Sequence, residues 1–492
     1  MGICGSRRKK QEVIDKETCT KAEELHTQDD FVIDTKLQPI DNKLQSITAE
    51  FVSQHKGSRK IESKYCVSSK EIGRGAYGYV RKCTANSTGH EYCVKTFRSE
   101  AVTPADVYAV QKEIDVLRSL DHPNVVRLFE TYLGGNEAPE LHLVMELLPG
   151  GNLKSRLQKR GTYFDEATAA RYMYSMFSAV RYCHEHGVCH RDIKLENFVF
   201  DSTDEEADLK LIDFGLAAKV RNADFNMEEQ VGTTPFMAPE VLEKGTGYNA
   251  ACDVWSLGVA TYELLAGNLK RPYNCGPVTH SYSRQLQIIK RGMFELPRRE
   301  PPLSQSAATF LYRTLAFNPD ERFSAAQAMQ HPWLAQAIPE QKSSGDQTSQ
   351  ATNNSMEVTL HRFSEKTMLE RLAFDLVAFS IPPVKLSTLR GKFKEIDVNG
   401  SGHISEEELK NAVNDDLMSN KEDLHKIFTM IDTSHDGEIS YTEFIAALIA
   451  SQAHFENDES IRAAFDLLDK DGSGSISRGE VAAVFGGSFA GV

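Results

Sequence analysis

The chain has 492 residues, too many for one core, and at about 150 residues per domain two or three domains are expected. It is 40% hydrophobic and 26% charged, as in an ordinary soluble protein, and its net charge of −14 suits cation binding and argues against nucleic acid as the main partner. No run approaches the roughly 18 apolar residues of a membrane span, no secretory leader opens the chain, and nine cysteines without a CxxC pair predict a reduced, cytosolic protein.

Residues 1–10 read MGICGSRRKK. Met1-Gly2-x-x-x-Ser6 fits the N-myristoylation pattern, Cys4 is a candidate for palmitoylation, and Arg7-Arg8-Lys9-Lys10 follow. One acyl chain holds a membrane marginally, whereas a second chain or a basic patch makes anchoring stable. The expectation is a peripheral, lipid-anchored protein on the cytoplasmic face of a membrane, foremost the plasma membrane, with a cytosolic fraction. A basic disordered tail is the alternative. Residues 11–60 are polar and mixed in charge, so an extension over 1–64 is predicted to be mostly disordered.

From Tyr65 to about Lys95 short β-rich runs alternate with turns, and helical periods dominate from about Ala105 to Trp333. Gly73-x-Gly75-x-x-Gly78-x-Val80 lies between two β-like runs. A dinucleotide motif would open directly into a helix, so a hairpin over ATP phosphates fits better, with Ile72 and Val80 against adenine or ribose. Lys95 would hold phosphates, and Glu113, in the helical run VQKEIDVLRSL, is placed to pair with it. In HRDIKLEN, Asp192 would accept the substrate hydroxyl proton, Lys194 approach the γ-phosphate and Asn197 ligate Mg²⁺. Asp213 of DFG is the second Mg²⁺ ligand, and APE follows at 238–240.

Residues 341–355 are almost wholly polar and read as a flexible linker, assigned to 334–357. Met368, Leu369, Leu372, Leu376 and Phe379 then recur at helical spacing until Pro382-Pro383. This junction helix, 358–384, is either a packing element or a regulatory segment. Its stripe is expected to bury itself against the catalytic domain or in a groove of the tail, but not both at once.

The tail repeats itself. DVNGSGHISEEE, DTSHDGEISYTE and DKDGSGSISRGE begin at Asp397, Asp432 and Asp469. Each has Asp at position 1, Gly at 6, Ile at 8 and Glu at 12. Ca²⁺ wants six to eight oxygens, and a loop must bend sharply at its glycine to supply them. The ligands expected are Asp397, Asn399, Ser401, the His403 carbonyl and Glu408. In the second loop they are Asp432, Ser434, Asp436, the Glu438 carbonyl and Glu443, and in the third Asp469, Asp471, Ser473, the Ser475 carbonyl and Glu480. These are EF-hand sequences. The first loop has only two carboxylate ligands and is predicted to bind Ca²⁺ more weakly.

The glycine-rich loop, lysine, HRD…N, DFG and APE resemble the eukaryotic protein kinase family across residues 65–333. With the junction helix and tandem EF-hands, the whole resembles the plant- and protist-type calcium-dependent protein kinases. The resemblance implies a multidomain α+β chain: a two-lobed kinase fold (65–148 and 149–333), then an all-α EF-hand domain over 385–492. It implies a Ser/Thr kinase using ATP, Mg²⁺ and Ca²⁺, acting on protein substrates, monomeric, and restrained by its junction helix until Ca²⁺ fills the hands. A silent adaptor would lack one of Lys95, Asp192, Asn197 or Asp213; all four are present.

By the same resemblance Met145 is the gatekeeper, and Glu146 and Leu148 offer hinge groups to adenine. Glu240 would pair with Arg322, and Asp253, Trp255 and Gly258 mark the central helix of the large lobe. Glu229, beside Glu228, falls where many relatives carry a phosphothreonine that pairs with the Arg191 position. Four departures stand out. Leu195 replaces a proline, and Cys93 sits at the roof of the adenine pocket as an inert thiol. Asn152 replaces an acid that holds substrate arginine, though Glu196 and Glu263 are retained, so a basic context stays plausible. The family has four hands and three are visible, leaving Ile476 without a ladder partner. Either a fourth repeat lies beyond this sequence or the lone hand self-associates.

Overall fold

The structure is a computed structural model. It describes residues 53–56, 60–74, 78–98, 104–134, 140–219, 227–273, 282–292, 294–336, 347–413 and 421–450, and from the third hand 461–462, 464–465, 468–469, 473–477 and 480. Gly2, Cys4, Gly75 and Asp471 lie outside the described residues.

The small lobe is a sheet of β1 (Ser53–Lys56), β2 (Tyr65–Arg74), β3 (Gly78–Ala85), β4 (Glu91–Arg98), β5 (Leu128–Gly134) and β6 (Glu140–Glu146), in the order β1-β5-β6-β4-β3-β2. Its middle strands are closed to solvent on both faces, with Val94, Leu143 and Val144 fully buried. Strand β1 runs parallel to β5, Ser53 opposite Glu130 and Lys56 opposite Leu133, and Ile61 is buried behind it. The expected disorder of 1–64 therefore does not extend through 53–64: the open edge of β5 takes up a strand even from polar sequence, because unpaired edge amides are satisfied that way. Helix α1 (Pro104–Arg118) brings Glu113 under the sheet.

The large lobe carries α2 (Leu153–Arg160), α3 (Glu166–Glu185), α4 (Pro239–Leu242), α5 (Ala251–Ala266) and α6 (Tyr282–Lys290). Helices α7 (Gln305–Thr314), α8 (Ala325–Met329) and α9 (Pro332–Ala335) close it. Asp165 starts α3 by accepting from Thr168 N. The central α5 is apolar almost all round, and its Gly258 is obligatory because a Cβ there would meet Leu315 and Thr314 at 2.9 Å. Two short antiparallel pairs, β7 (Val188–Cys189) with β10 (Ala218–Lys219) and β8 (Phe198–Phe200) with β9 (Leu209–Leu211), hold the loops of the cleft.

Beyond the lobe the sequence reading needs correction. The predicted linker 334–357 is helical from Gln347 onward: α10 (Gln347–Ser364) precedes α11 (Met368–Ser380), so the single junction helix over 358–384 is two helices. Met356, Leu360 and Phe363 form a buried stripe that holds the C-terminal half of α10. A capping box, Thr367 with Glu370, restarts the chain as α11. The calcium domain follows as α12 (Ser387–Ile396), β11 (His403–Ile404), α13 (Glu406–Ala412), α14 (Lys421–Ile431), β12 (Ile439–Ser440) and α15 (Tyr441–Ile449). Ile404 and Ile439 face each other across its antiparallel ladder.

Helix α11 belongs to two cores, the predicted stripe to one of them and other residues to the second. Leu372, Leu376 and Phe379 join the kinase core, Phe379 edge-on to Phe129 at 5.6 Å. Ala378 and Ile381 join the calcium-domain core with Phe393, Phe428 and Phe444. A helix has room for two stripes, and a sandwiched one uses both. Met368 is partly buried on the kinase side, whereas Leu369 is 55% exposed and belongs to neither stripe.

Candidate active site and calcium loops

Lys95 rises from β4 into the cleft, where its Nζ lies 2.7 Å from Glu113 Oε1 and 3.1 Å from Asp213 Oδ1. Burial works to lower the ammonium pKa, but these two carboxylates overcome it and hold Lys95 charged. Burial pushes Glu113 up, while Lys95 keeps Asp213 below the usual carboxylate range against its own burial. Asp213 has φ 65°, a left-handed setting that an aspartate adopts more readily than most residues. Gly78 lies so close to β4 that a Cβ would stand 2.1 Å from the Thr96 carbonyl, and Ile72, at the other end of that loop, is 53% exposed.

Asp192 is the hub of the catalytic loop. Its Oδ2 accepts from Lys194 Nζ at 2.6 Å and from Asn197 Nδ2 at 3.2 Å; its Oδ1 accepts from Thr233 N at 3.0 Å and Thr233 Oγ1 at 2.6 Å. Lys194 also donates to Thr233 Oγ1 at 2.9 Å. With Asn197 Nδ2 tied to Asp192, its carbonyl oxygen is the end left for a cation, and with the Asp213 carboxylate it makes the oxygen donor set a hard divalent ion prefers. Asp253 of α5 supports the loop from below, accepting from the backbone N–H of His190 and of Arg191, each at 2.8 Å.

Around this hub, Arg191 Nη1 lies 2.9 Å from Glu229 Oε2, and Tyr248 holds the Glu229 carbonyl at 2.7 Å. Glu228 is exposed. Glu240 and Arg322 make two contacts, 2.6 and 3.0 Å. At the hinge Glu146 is buried, its carboxylate taken by Lys210 at 3.0 Å and by Arg127 N at 2.8 Å. Leu148 is half-buried. The Cys93 thiol donates to the Glu146 carbonyl at 3.2 Å, and burial pushes it up to about 12, so it stays neutral. Val80 sits opposite Lys95. Neither retained acid is free: Lys154 holds Glu196 at 2.6 Å and Arg271 holds Glu263 at 2.9 Å.

The calcium loops share one set of hydrogen bonds. The position-1 carboxylate accepts from the amides at positions 5 and 6: Asp397 from Ser401 and Gly402, Asp432 from Asp436 and Gly437, Asp469 from Ser473 and Gly474. The position-12 glutamate closes each loop on the serine three residues before it: Glu408 on Ser405, Glu443 on Ser440, Glu480 on Ser477. Burial pushes Asp397 and Glu443 up to about 7 each. Ser401 Oγ donates to the His403 carbonyl at 3.0 Å and Ser473 Oγ to that of Ser475 at 3.0 Å, so both position-7 oxygens face their loops. Ser434 Oγ donates to Asp432 at 3.1 Å. Glu438 is exposed, and Asn399 Nδ2 donates to Glu408 at 2.8 Å. Ile476 is 37% exposed.

Contacts that no motif announces hold this domain to the kinase. The first loop rests on α3, with Arg181 Nη1 2.6 Å from the Asn399 carbonyl and 3.1 Å from its Oδ1, and Ser178 Oγ 3.1 Å from the Gly400 carbonyl. The His403 ring stacks on His186 at 5.4 Å. Asp121 accepts from Thr442 N at 2.9 Å in the first turn of α15, and Arg127 bridges Asp121 and Thr442 at 3.2 Å each while donating to the Phe379 carbonyl at the end of α11. At α12, Arg390 pairs with Asp201 and with Asp208, the latter at 2.7 Å, and Lys394 with Asp208 at 2.5 Å.

Comparison with known proteins agrees with these arrangements. The protein kinase domain matches residues 66–334, an EF-hand domain pair 386–449 and an EF hand 461–485. Similar proteins include Calcium-dependent protein kinase 3 of Plasmodium yoelii yoelii, 31% identical over 432 residues, which span 86% of this chain and 75% of that one. Calcium-dependent protein kinase 19 of Arabidopsis thaliana is 32% identical over 428 residues, 86% and 73% of the two chains. Calcium-dependent protein kinase 9 of Oryza sativa subsp. japonica is 33% identical over 441 residues, 88% and 72%.

Proposed function

Because the chain belongs to the calcium-dependent protein kinase family, we propose that its calcium loops govern the active site through α10 and α11. The enzyme is a calcium-dependent serine/threonine protein kinase that uses ATP and a divalent metal. The observation that carries the residue roles is the bonding around Asp192 and Lys95 in one cleft. Asp192 accepts the proton of the substrate hydroxyl, steadied on one side by Thr233 and on the other by Lys194. Lys194, held between Asp192 and Thr233, faces the transferring phosphoryl group. Lys95, kept in place by Glu113, anchors the remaining phosphates. Magnesium is the proposed metal, held by Asn197 and Asp213; when bound it neutralises charge on the phosphate oxygens.

The junction acts as a brace. Leu372, Leu376 and Phe379 lie on the kinase core and Ala378 and Ile381 on the calcium-domain core, so any calcium-driven repacking of one reaches the other. Substrate preference for basic residues is weakened, because Lys154 and Arg271 already neutralise Glu196 and Glu263. In this proposal the chain is a monomer, anchored through Gly2 and Cys4 at the cytoplasmic face of a membrane, foremost the plasma membrane.

The deciding assay is ATP-dependent phosphorylation of a Ser/Thr peptide library with and without Ca²⁺, in wild type and Asp192→Asn. Wild type should respond to Ca²⁺ and show little selection for arginine. Asp192→Asn should bind ATP but lose nearly all turnover; wild-type turnover in that variant would sink the assignment.

A further inference from the structure

The second calcium loop lies against an acid that no EF-hand motif contains. Asp375, in the middle of α11, is fully buried, and its Oδ1 has no hydrogen-bond partner among the described residues. Its Oδ2 accepts from Thr433 Oγ1, at position 2 of the second loop, at 2.8 Å. The same hydroxyl lies 3.0 Å from Glu443 Oε1, the position-12 ligand. A hydroxyl carries one proton, so Thr433 cannot serve both carboxylates fully; Glu443 also accepts from the Ser434 and Ser440 amides, each at 2.8 Å, whereas Asp375 has no second donor among the described residues. Arg371, one turn earlier on α11, is an attractive charge nearby but supplies no hydrogen bond to Asp375: its Nη1 goes to the Met430 carbonyl at 3.0 Å.

We propose that Asp375 is an outer member of the second calcium site, a carboxylate lent to the loop by the junction helix and coupled to it through Thr433. The loop offers three ligand carboxylates, Asp432, Asp436 and Glu443, and Asp375 places a fourth carboxyl one hydroxyl away. Carboxylates gathered in a buried setting oppose one another unless a cation compensates them, so a divalent ion is favoured there. With both oxygens of Glu443 engaged by Ca²⁺, the Thr433 hydroxyl would be left to donate its hydrogen bond to Asp375 alone. Calcium is then bound more tightly when α11 is seated, and by linkage α11 is seated more firmly when calcium is bound. The inference rests on reading the second loop as a calcium site.

The test uses the full chain with the first and third loops disabled by Glu408→Gln and Glu480→Gln. Calcium affinity of the second loop is read by titration calorimetry, and exchange of α11 amides by hydrogen exchange with and without Ca²⁺. Removal of a supporting acid around a metal site costs on the order of tenfold or more in affinity, so Asp375→Asn should bind about tenfold more weakly and lose the calcium-dependent protection of α11. Thr433→Val should weaken binding too, and the two changes together should cost little more than Asp375→Asn alone. Affinity in Asp375→Asn within twofold of its parent, or tighter, overturns the proposal. If Asp375→Asn does not fold, parent-like affinity in Thr433→Val overturns it instead. Failure of the parent itself to bind Ca²⁺ would overturn the calcium-site reading and the proposal with it.

Discussion

Glu229 stands where phosphorylation would otherwise have to supply charge. Its carboxylate contacts Arg191 at 2.9 Å, next to the catalytic Asp192, so the activation segment is positioned without modification. A carboxylate offers two acceptor oxygens where a phosphate offers three, and this is enough for the contact observed. Replacing Glu228 and Glu229 together by Ala should lower calcium-stimulated turnover by about tenfold, the scale of one hydrogen bond to a charged group. Undiminished turnover in a steady-state assay would refute the role. Glu263 yields a pH prediction. Burial, opposed by Arg271, pushes its carboxyl from 4.5 up to about 7. The folded chain therefore holds this proton more tightly than the unfolded chain does. The resulting stability is complete below pH 4.5 and is lost as pH rises through 7, to a total of about 3 kcal/mol. Glu263→Gln cannot titrate, so the stability of wild type relative to that variant should fall between pH 5 and 8 in urea titrations. A difference independent of pH would show that the carboxyl titrates as an ordinary glutamate.

Helix α11 packs on both domains, and the proposed calcium control turns on it. Leu372 and Leu376, 3% and 1% exposed, seat it on the kinase core. Unpaired carboxylates cannot stay buried there, so Leu372→Asp/Leu376→Asp should lift the helix away. The ratio of activity with and without Ca²⁺ should then fall to about one; an unchanged ratio would make α11 a mere spacer. The stripe was legible because helical spacing is local, and so were the calcium loops and the cleft, whose residues recur at fixed short intervals. What those residues touch was not. Arg181 meets Asn399 across 218 residues, Arg127 meets Phe379 across 252 and Asp121 meets Thr442 across 321. A surface arginine or aspartate carries no periodic signal of a distant partner. Helix α10 escaped notice because its first turns are polar and its apolar stripe begins only at Met356. Thr233 could have been found: its hydroxyl precedes the APE motif at close range, in the same segment as Glu229.

At the scale of the whole molecule, the proposed anchor and the proposed switch lie at opposite ends of the sequence. Gly2→Ala removes the only site for an N-terminal myristoyl group, so membrane recovery in cell fractionation should drop severalfold, and Cys4→Ser should leave weaker, reversible binding. Equal recovery of all three proteins would discard lipidation as the anchor. None of this alters the catalytic end, where the calcium domain meets the kinase at separate places: the first loop on α3, the start of α15 on Asp121 and Arg127, and α12 on Asp201 and Asp208. A body on three feet has no freedom left to rock. It cannot lean toward one foot without unloading another, so partial tilts are not available as intermediate settings. The domain is then expected to be either mounted or dismounted, and turnover measured against calcium should rise as a latch does, by a threshold and not by degrees.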